Sequence, residues 1–309
     1  MRLSFILTFF SLSLTQVWAQ SEFNLNKTYP ISELGQLEMN TDDAVVTIKG
    51  SDRTDVSIKV YRKVTGKQLG NKKFDFNVDA SDGNIKITDH EYKDSNTKIS
   101  IQWNSETIYT IDIEVPRSVN LDLVGDDDDY NISSISGNLA LTVEDGSTEI
   151  RNFTGESIDI EIEDGDIDIQ DANCSIELTI EDGDFQAKNS DFKKLNIKTE
   201  DGDISMRGSK IFDGRIRSSD GDIDLDIALS PETRLDIRTD DGNVDLNTRG
   251  PGGKYEVTFE DGDVDFSKQQ FNTVKETRNS YQLASKSEGN VDIIIDVEDG
   301  DVDLNHSSK

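Results

Sequence analysis

The pair Asp-Gly recurs at a nearly fixed spacing through the second half of the chain. The glycines of eight such pairs are Gly146, Gly165, Gly183, Gly202, Gly221, Gly242, Gly262 and Gly300. Successive glycines are 18 to 21 residues apart, except for a last interval of 38 residues, which equals two periods. A regular period of this length is typical of stacked repeat architectures. The repeat therefore constrains the fold more than any other feature of the sequence.

Apolar and polar residues alternate on both sides of each Asp-Gly pair. The segment 160–169, for example, is Ile-Glu-Ile-Glu-Asp-Gly-Asp-Ile-Asp-Ile. A period of two is typical of a half-buried strand. Asp-Gly suits a row of antiparallel hairpins with two-residue turns, and it also suits the corner of a β-solenoid. We favour the solenoid, because a unit of about 19 residues cannot bury its apolar face alone, whereas stacked units share one continuous core.

This interpretation divides the chain into three parts. A signal peptide is expected at 1–19, an amino-terminal β region at 20–120 and the repeat at 121–309; the repeat includes an irregular loop at 267–290, where a polar stretch departs from the period. Residues 20–120 alternate less regularly, and we expect β structure that continues the solenoid and caps one end; an independent small β-domain is the alternative. Segments 40–48 and 80–87 look like degenerate corners. The expected fold class is all-β, a parallel β-solenoid with coils of about 19 residues.

The first residues have the pattern of a secretory signal peptide. Arg2 gives a positive start, Leu3 to Leu14 form an apolar stretch, and Val17-Trp18-Ala19 is a small-residue cleavage site. The apolar stretch is too short to span a bilayer, and no later segment approaches that length. We therefore expect an exported mature chain without a membrane span, in the periplasm, on the outer surface or outside the cell.

A segment that precedes the repeat adds a family resemblance. Residues 111–123 are Ile-Asp-Ile-Glu-Val-Pro-Arg-Ser-Val-Asn-Leu-Asp-Leu, and they lead into the Asp-Gly corners. With the export signal, this order resembles a bacterial domain-of-unknown-function family of β-strand-repeat, adhesin-like proteins, over most of residues 29–309. The resemblance implies a right-handed β-solenoid in the cell envelope or outside the cell, and it brings no catalytic motif. Many relatives have Asn, Lys or Ser where this chain has Asp.

The acidity of the chain is concentrated in the repeat. The net charge is −31; residues 21–120 hold 16 acidic and 13 basic side chains, whereas residues 121–309 hold 47 and 18. Binding to a phosphate backbone needs a clustered cationic surface, so nucleic acid is excluded as a partner. Anionic membrane surfaces are excluded for the same reason.

Stacked coils would place like carboxylates in columns beside each corner. Neighbours one coil apart repel by about 1 kcal/mol in water. Either these carboxylates stay solvated and accept backbone N–H bonds, or calcium lies between them, since it binds clustered oxygens. The candidate calcium ligands are Asp164, Asp166, Asp182, Asp184, Asp201, Asp203, Asp220, Asp222, Asp261 and Asp263. The EF-hand and β-roll calcium motifs are absent; the run 126–129 is a further weak site or a solvated loop. No other cofactor is expected.

A stripe of cationic residues is the exception to the acidic surface. Lys198, Arg217 and Arg238 share one outward position in three successive coils, and Arg215 lies two residues before Arg217. We expect the stripe to pair with Asp236, Glu256 and nearby carboxylates across the strands. The alternative is a docking patch for an anionic glycan or partner.

Catalytic groups are not distinguished by the sequence. Cys174 is the single cysteine, and the chain has only two histidines, His90 and His306. Paired carboxylates, which perform glycoside hydrolysis, recur in every coil, so no pair stands out. The sequence therefore predicts a non-enzymatic, exported, adhesin-like or cell-envelope interaction protein that binds an envelope protein or glycan by multivalent contact. A calcium-dependent structural module and a carbohydrate-active enzyme on a β-helix are the alternatives.

Overall fold

The computed structural model describes residues 21–69, 72–93 and 101–308. The regular elements of these residues are all strands, which agrees with the all-β expectation. Accordingly, the described residues include no helix with the length and apolarity needed to cross a membrane. The predicted signal peptide at 1–19 lies outside the described residues.

The strands fall into three groups along the chain. Those before the repeat are β1 (Ser21–Pro30), β2 (Gln36–Thr41), β3 (Val45–Ser51), β4 (Asp55–Leu69), β5 (Lys72–Ser81), β6 (Asn84–Lys93) and β7 (Ile101–Pro116). The central strands are β8 (Asn120–Asp127), β9 (Asp129–Ser133), β10 (Leu139–Asp145), β11 (Thr148–Arg151), β12 (Ser157–Asp164), β13 (Ile167–Gln170), β14 (Asn173–Asp182), β15 (Phe185–Lys188), β16 (Asp191–Asp201), β17 (Ile204–Asp220), β18 (Ile223–Asp241) and β19 (Val244–Arg249). The last strands are β20 (Gly253–Asp261), β21 (Val264–Phe266), β22 (Phe271–Thr277), β23 (Ser280–Ser285), β24 (Val291–Asp299) and β25 (Val302–Ser307).

The strands pair into two long faces, and each coil contributes one strand to each face on either side of its corner. Face 1 runs through β5, β6, β2, β8, β10, β12, β14, β16, the second halves of β17 and β18, β24, β20, β23 and β22. Face 2 runs through β1, β4, β7, β3, β9, β11, β13, β15, the first halves of β17 and β18, β19, β25 and β21. Pairing is parallel throughout the middle and antiparallel only at the ends, so the fold is solenoid-like.

The interior is filled by columns of side chains that flank the corners. Val143, Ile162 and Ile180 pair in register before the corner and are almost completely buried. The column continues through the polar residues Thr199 and Ser218, which pair in register. Each hydroxyl donates to the backbone carbonyl two residues later, at 3.4 and 3.2 Å. Burial of these polar groups therefore leaves no donor unpaired.

The coils at the carboxyl-terminal end are not stacked in chain order. β24 pairs in parallel with both β18 and β20, and β25 pairs with both β19 and β21. The last coil in sequence therefore lies between the coil that contains β19 and the coil of β20 and β21. The interval of 38 residues after Gly262 corresponds to a reversal of the stacking order.

The segment 267–290 is not an irregular loop, as the sequence suggested. It contains the antiparallel hairpin of β22 and β23, and β23 adds to the edge of β20. Only Phe271 is buried in β22, and the other six residues of that strand are exposed. An edge strand with one buried side chain lacks the alternation of apolar and polar residues by which strands are recognised. The sequence pattern therefore could not reveal β22.

Aromatic side chains close both ends of the core. At the carboxyl-terminal end, the rings of Tyr255 and Phe271 are 5.0 Å apart and edge-on. At the amino-terminal end, the ring of Phe74 contacts Tyr109 at 5.3 Å, and the Arg62 guanidinium lies 4.4 Å from the Phe74 ring centroid. These rings cover apolar surface that would otherwise be exposed at the two terminal coils.

Of the two segments before the repeat that resemble corners, one is a corner and the other is a hairpin. β2 and β3 stack directly on β8 and β9, so the segment 40–48 forms a corner as expected. The segment 80–87 instead joins β5 and β6 as an antiparallel hairpin. Asp82 and Gly83 have φ values of 52° and 78°, as a two-residue hairpin turn requires. The same Asp-Gly pair thus serves both turn types.

We expect engineered disulfides to report the reversed stacking order. Asp241 and Asp299 are register partners in adjacent strands, whereas Asp241 and Asp261 are separated by β24 and lie about 9.6 Å apart at two strand spacings. A disulfide needs Cα atoms closer than about 7 Å. Under mild oxidation, the D241C/D299C variant should therefore lose its surface thiols, and the matched D241C/D261C variant should keep them, as measured by thiol titration and intact mass. Cross-linking of the second variant alone would show stacking in chain order.

Candidate functional site

The corner aspartates stand in register, as the repeat predicted. The column before the corner runs through Asp127, Asp145, Asp164, Asp182, Asp201, Asp220, Asp241, Asp299 and Asp261. Desolvation by the surrounding groups and repulsion from the neighbouring Asp182 and Asp145 carboxylates raise the pKa of Asp164. The column is therefore a closely spaced row of like charges.

The column after the corner is used to hold successive coils together. Asp166 Oδ1 accepts the backbone N–H of Asp184 at 3.0 Å, Asp184 Oδ1 accepts that of Asp203 at 2.9 Å, and Asp203 Oδ1 accepts that of Asp222 at 2.8 Å. Asp301 does the same for Asp263 at 2.8 Å. These contacts are the local turn bonds that were one of the two alternatives for the acidic columns.

The ten predicted calcium ligands do not converge in threes. In the described part of the chain, only Asp42, Asp43 and Asp127 bring three ligand atoms within 4.8 Å of one another, and all three are exposed. Asp42 and Asp43 form the corner between β2 and β3, and Asp127 belongs to the predicted weak site at 126–129. Stacking of these two coils thus assembles a carboxylate cluster from segments 84 residues apart in sequence. Calcium binding at the columns stays a prediction.

A buried carboxylate lies beside this cluster. Asp128 has no exposed surface. It occupies the corner position that Gly146 occupies in the next coil, and its carbonyl faces Gly146. Its carboxylate accepts hydrogen bonds from the Thr41 hydroxyl at 2.7 Å, the Ala44 backbone N–H at 2.5 Å and the Tyr130 hydroxyl at 3.3 Å. Burial raises the pKa of Asp128 to about 6. No sequence feature other than its place in an Asp run marked this residue.

A second perturbed carboxyl lies on β6, which is separated from β8 by β2. Tyr109 of β7 donates its hydroxyl to Asp89 of β6 at 2.6 Å. Burial raises the pKa of Asp89 to about 6, although the Tyr109 hydrogen bond lowers it. Asp89, the corner between β2 and β3, and the corner between β8 and β9 therefore form an acidic region at one end of the repeat.

Face 1 carries the cationic residues in a compact array, which we call the basic tile. Its nine outward positions on β16, β17 and β18 are Lys194, Asn196, Lys198, Asp213, Arg215, Arg217, Arg234, Asp236 and Arg238. Six of them are Lys or Arg and two are Asp, so the tile is positive. The predicted stripe is part of it, because Lys198, Arg217 and Arg238 are register partners.

Ion pairs neutralise only part of the basic tile. The Arg217 guanidinium lies 2.7 Å from Asp236, and the Arg238 guanidinium lies 3.5 Å from the same carboxylate. The predicted pairing with Glu256 does not form, because β24 lies between β18 and β20. Glu256 instead accepts a hydrogen bond from Gln282 at 3.5 Å. The reversed coil order thus changes which charges can meet.

An open cavity of about 350 Å³ lies at one side of the basic tile. Its cationic lining residues are Lys194, Arg215 and Arg234. Within the ranges whose side chains are described, these three make no ion pair with a carboxylate. Sequence reasoning identified Arg215 but missed Lys194 and Arg234, although these lie four residues before Lys198 and Arg238 and therefore share their outward side by simple alternation.

Cys174 and His306 are held in the interior, whereas His90 is exposed. Cys174 is buried, and burial raises the pKa of its thiol to about 12, so the thiol is protonated at neutral pH. His306 lies in the carboxyl-terminal cap, where Nδ1 is 3.0 Å from the Thr248 hydroxyl and Nε2 is 2.5 Å from the Ser287 hydroxyl. Burial lowers the pKa of His306, which favours a neutral ring in this hydrogen-bond network.

Comparison with known proteins gives one family match and several distant structural likenesses. The family model described as Toastrack DUF4097 matches residues 34–305. A "putative cell adhesion protein" from Clostridium sporogenes is 10% identical with a TM-score of 0.28, and the alignment covers 93% of this chain and 100% of that one. A "putative lipid binding protein" from Parabacteroides distasonis is 12% identical with a TM-score of 0.44, covering 91% and 97%. A "putative adhesin" from Bacteroides fragilis is 12% identical with a TM-score of 0.41, covering 92% and 97%. No curated protein matches the chain.

Proposed function

The chain belongs to the Toastrack DUF4097 family, and from this premise we propose that it is an exported, non-enzymatic, adhesin-like binding protein of the cell envelope or cell surface. The observation that carries the proposal is the pair of flat faces, on which outward residues recur in register from coil to coil. Such a surface presents outward side chains at regular intervals, so a repetitive partner can make several weak contacts at once.

The repeat further supports a right-handed solenoid with coils of about 19 residues. Leu139, Ile158 and Ile176 occupy the same place in three consecutive coils, a spacing of this size. Right-handed crossovers are the rule for parallel strands that belong to one sheet. We propose the right-handed winding of the coils together with the export of the chain.

A pull-down on envelope material tests the proposed function. Residues 20–309 would be immobilised and incubated with solubilised envelope protein and, separately, with purified envelope glycan. Retention of either material, reduced in competition with free protein, is the expected result. A variant in which three charges of face 1 are reversed, D159K/E161K/E177K, provides a surface control. Failure to retain either class of material over a range of ionic strength would contradict the proposed function.

A calcium-dependent structural module is the second candidate, and the Asp42, Asp43 and Asp127 cluster is the observation that favours it. Carboxylate oxygens are the ligands that calcium prefers. On this hypothesis, calcium gives a calorimetric binding signal and raises the melting temperature, and D127N abolishes both effects. D203N is the matched control from the predicted column, where an amide oxygen can still accept the Asp222 N–H. A titration without heat or a rise in melting temperature would remove the hypothesis.

A further inference from the structure

Among the described side chains, three cations of the basic tile form no ion pair, although the chain has a net charge of −31. Lys194, Arg215 and Arg234 lie on three adjacent strands and around one cavity. Arg207 and Arg249 on face 2 are, by contrast, paired with Asp224 and Asp226 at 3.2 and 3.1 Å. Carboxylates are abundant on this surface, so most cations are expected to form an ion pair. Because Lys194, Arg215 and Arg234 form none among the described side chains, they are available to an external anion.

The remaining lining of the cavity offers hydrogen-bond acceptors. Asp213, Asp236 and Asp292 are all at its wall. Both oxygens of Asp236 face cations of the tile, since Oδ2 lies 2.7 Å from Arg217 and Oδ1 lies 3.5 Å from Arg238, so the exposed Asp213 and Asp292 are the acceptors open to a ligand. Ile294, which is 39% exposed, adds an apolar surface at the edge. The cavity thus combines cations, acceptors and a small apolar patch, which is the set of groups that a ring with one acidic substituent and several hydroxyls can satisfy.

We propose that the basic tile and its cavity bind an acidic saccharide, an inference that rests on the proposed envelope-binding function and names its ligand class. The carboxylate or sulfate of the sugar lies among Lys194, Arg215 and Arg234, three cations that surround the single carboxylate of Asp213. Its hydroxyls donate to the carboxylates at the cavity wall, and the apolar side of the ring contacts Ile294. Arg217 and Arg238 remain committed to Asp236 and keep the tile rigid.

The surroundings of the basic tile limit the size and charge of the ligand. The tile spans three strands at about 4.8 Å spacing and three outward positions at about 6.6 Å spacing, which is roughly 10 by 13 Å. Glu177 borders it on β14, and Asp292 and Asp296 border it on β24. A long polyanion would therefore place most of its charges against carboxylates. The site fits one or a few acidic sugar residues, and it does not fit nucleic acid or an anionic membrane.

A charge-matched pair of variants tests the proposal with tri-galacturonate as the probe. R215Q/R234Q removes two unpaired cations of the cavity, and R207Q/R249Q removes two paired cations of face 2, so both variants change the net charge equally. At low ionic strength, calorimetry should show that R215Q/R234Q weakens binding about tenfold or more, whereas R207Q/R249Q binds like the parent chain. The fully methyl-esterified trisaccharide, which keeps the hydroxyls and lacks the charge, should bind at least about tenfold more weakly to the parent chain.

The outcomes separate this proposal from its alternatives. Equal loss in both variants would show general electrostatics and overturn the site, and so would equal binding of the methyl ester. Inorganic sulfate that binds as tightly as the trisaccharide would show an anion site without sugar recognition. The melting temperature of R215Q/R234Q should stay within a few degrees of the parent, because neither arginine forms an ion pair in the described ranges. If R215Q/R234Q binds tri-galacturonate as tightly as the parent chain, and the parent chain retains envelope material, the saccharide site fails while the proposed function stands.

Discussion

Replacement of Gly183 by alanine is expected to lower the free energy of unfolding by about 3 kcal/mol or more. Gly183 lies at the corner of a central coil with φ of 142°, a conformation that side chains with a Cβ rarely adopt. A Cβ there would also lie 2.2 Å from the backbone oxygen of Gly165 in the adjacent coil. Backbone strain and a backbone clash therefore act together, and equilibrium denaturation would measure the loss.

Gly208 supplies the matched control for the corner glycine. Its φ of 65° is ordinary left-handed backbone, and a Cβ would meet only Asn189 Oδ1, at 3.0 Å. We expect G208A to cost about 1 kcal/mol. If G183A and G208A were equally destabilising, close stacking of the corners would not be what selects glycine at this position.

Replacement of Asp128 by asparagine is expected to raise stability at neutral pH. The folded protein must hold an ionised carboxylate without exposed surface at pH 7, because burial raises the pKa of Asp128 from 3.8 to about 6. A shift of this size corresponds to about 3 kcal/mol against the folded state at pH 7. Asparagine keeps an oxygen for the Ala44 N–H and an amide group for the Thr41 and Tyr130 oxygens. Thermal or chemical denaturation at pH 7 should show the gain.

The advantage of D128N should disappear on acidification, and the sign follows from proton linkage. Between pH 3.8 and about 6, the folded state of the parent chain binds the proton of Asp128 and the unfolded state does not, so the stability of the parent rises as the pH falls. The difference between D128N and parent is therefore fully present above about pH 7, decreases through about pH 6 and is lost below about pH 4. Melting temperatures across this range would trace it.

Asp166 provides a control with the same change of charge. It is an exposed corner carboxylate whose oxygen accepts the Asp184 N–H, and D166N retains that acceptor. We expect D166N to change stability by less than about 0.5 kcal/mol at any of these pH values. A D128N variant that is less stable than the parent at pH 7 would show that the ionised carboxylate is a favourable part of the corner.

Much of the repeat could be predicted because its information is local. The interior residue Ile162 and the corner Gly165 are recognisable from alternation and turn chemistry within ten residues of sequence. The turn at Asp82 and Gly83 was misjudged for the same reason. Its residues suit a corner and a hairpin equally, and the choice depends on whether the following strand returns along its neighbour or crosses to the other face.

The candidate sites were predictable only where one period relates their residues. Lys198, Arg217 and Arg238 follow the repeat, so their alignment was expected and is observed. Lys194 and Arg234 lie four residues before Lys198 and Arg238 and keep the same register, so alternation could also have placed them. The cavity that they line with Arg215 could not be predicted, because its other wall comes from Asp292 and Ile294 of β24, and no single segment of sequence specifies that β24 lies beside β18.

The sequence by itself determined the strands, the corners and the period of this protein, because alternation and Asp-Gly turns are properties of short segments. Only the tertiary structure decided which coil lies beside which. Corners of near-identical sequence can stack on one another in any order. The placement of Gly300 between Gly242 and Gly262 is therefore decided by packing at the carboxyl-terminal end of the stack. The coil that bears Tyr255 takes the terminal place, where the ring packs against Phe271 of the capping hairpin and closes the apolar core. That arrangement separates Glu256 from Arg238 and leaves the basic tile bordered by β24.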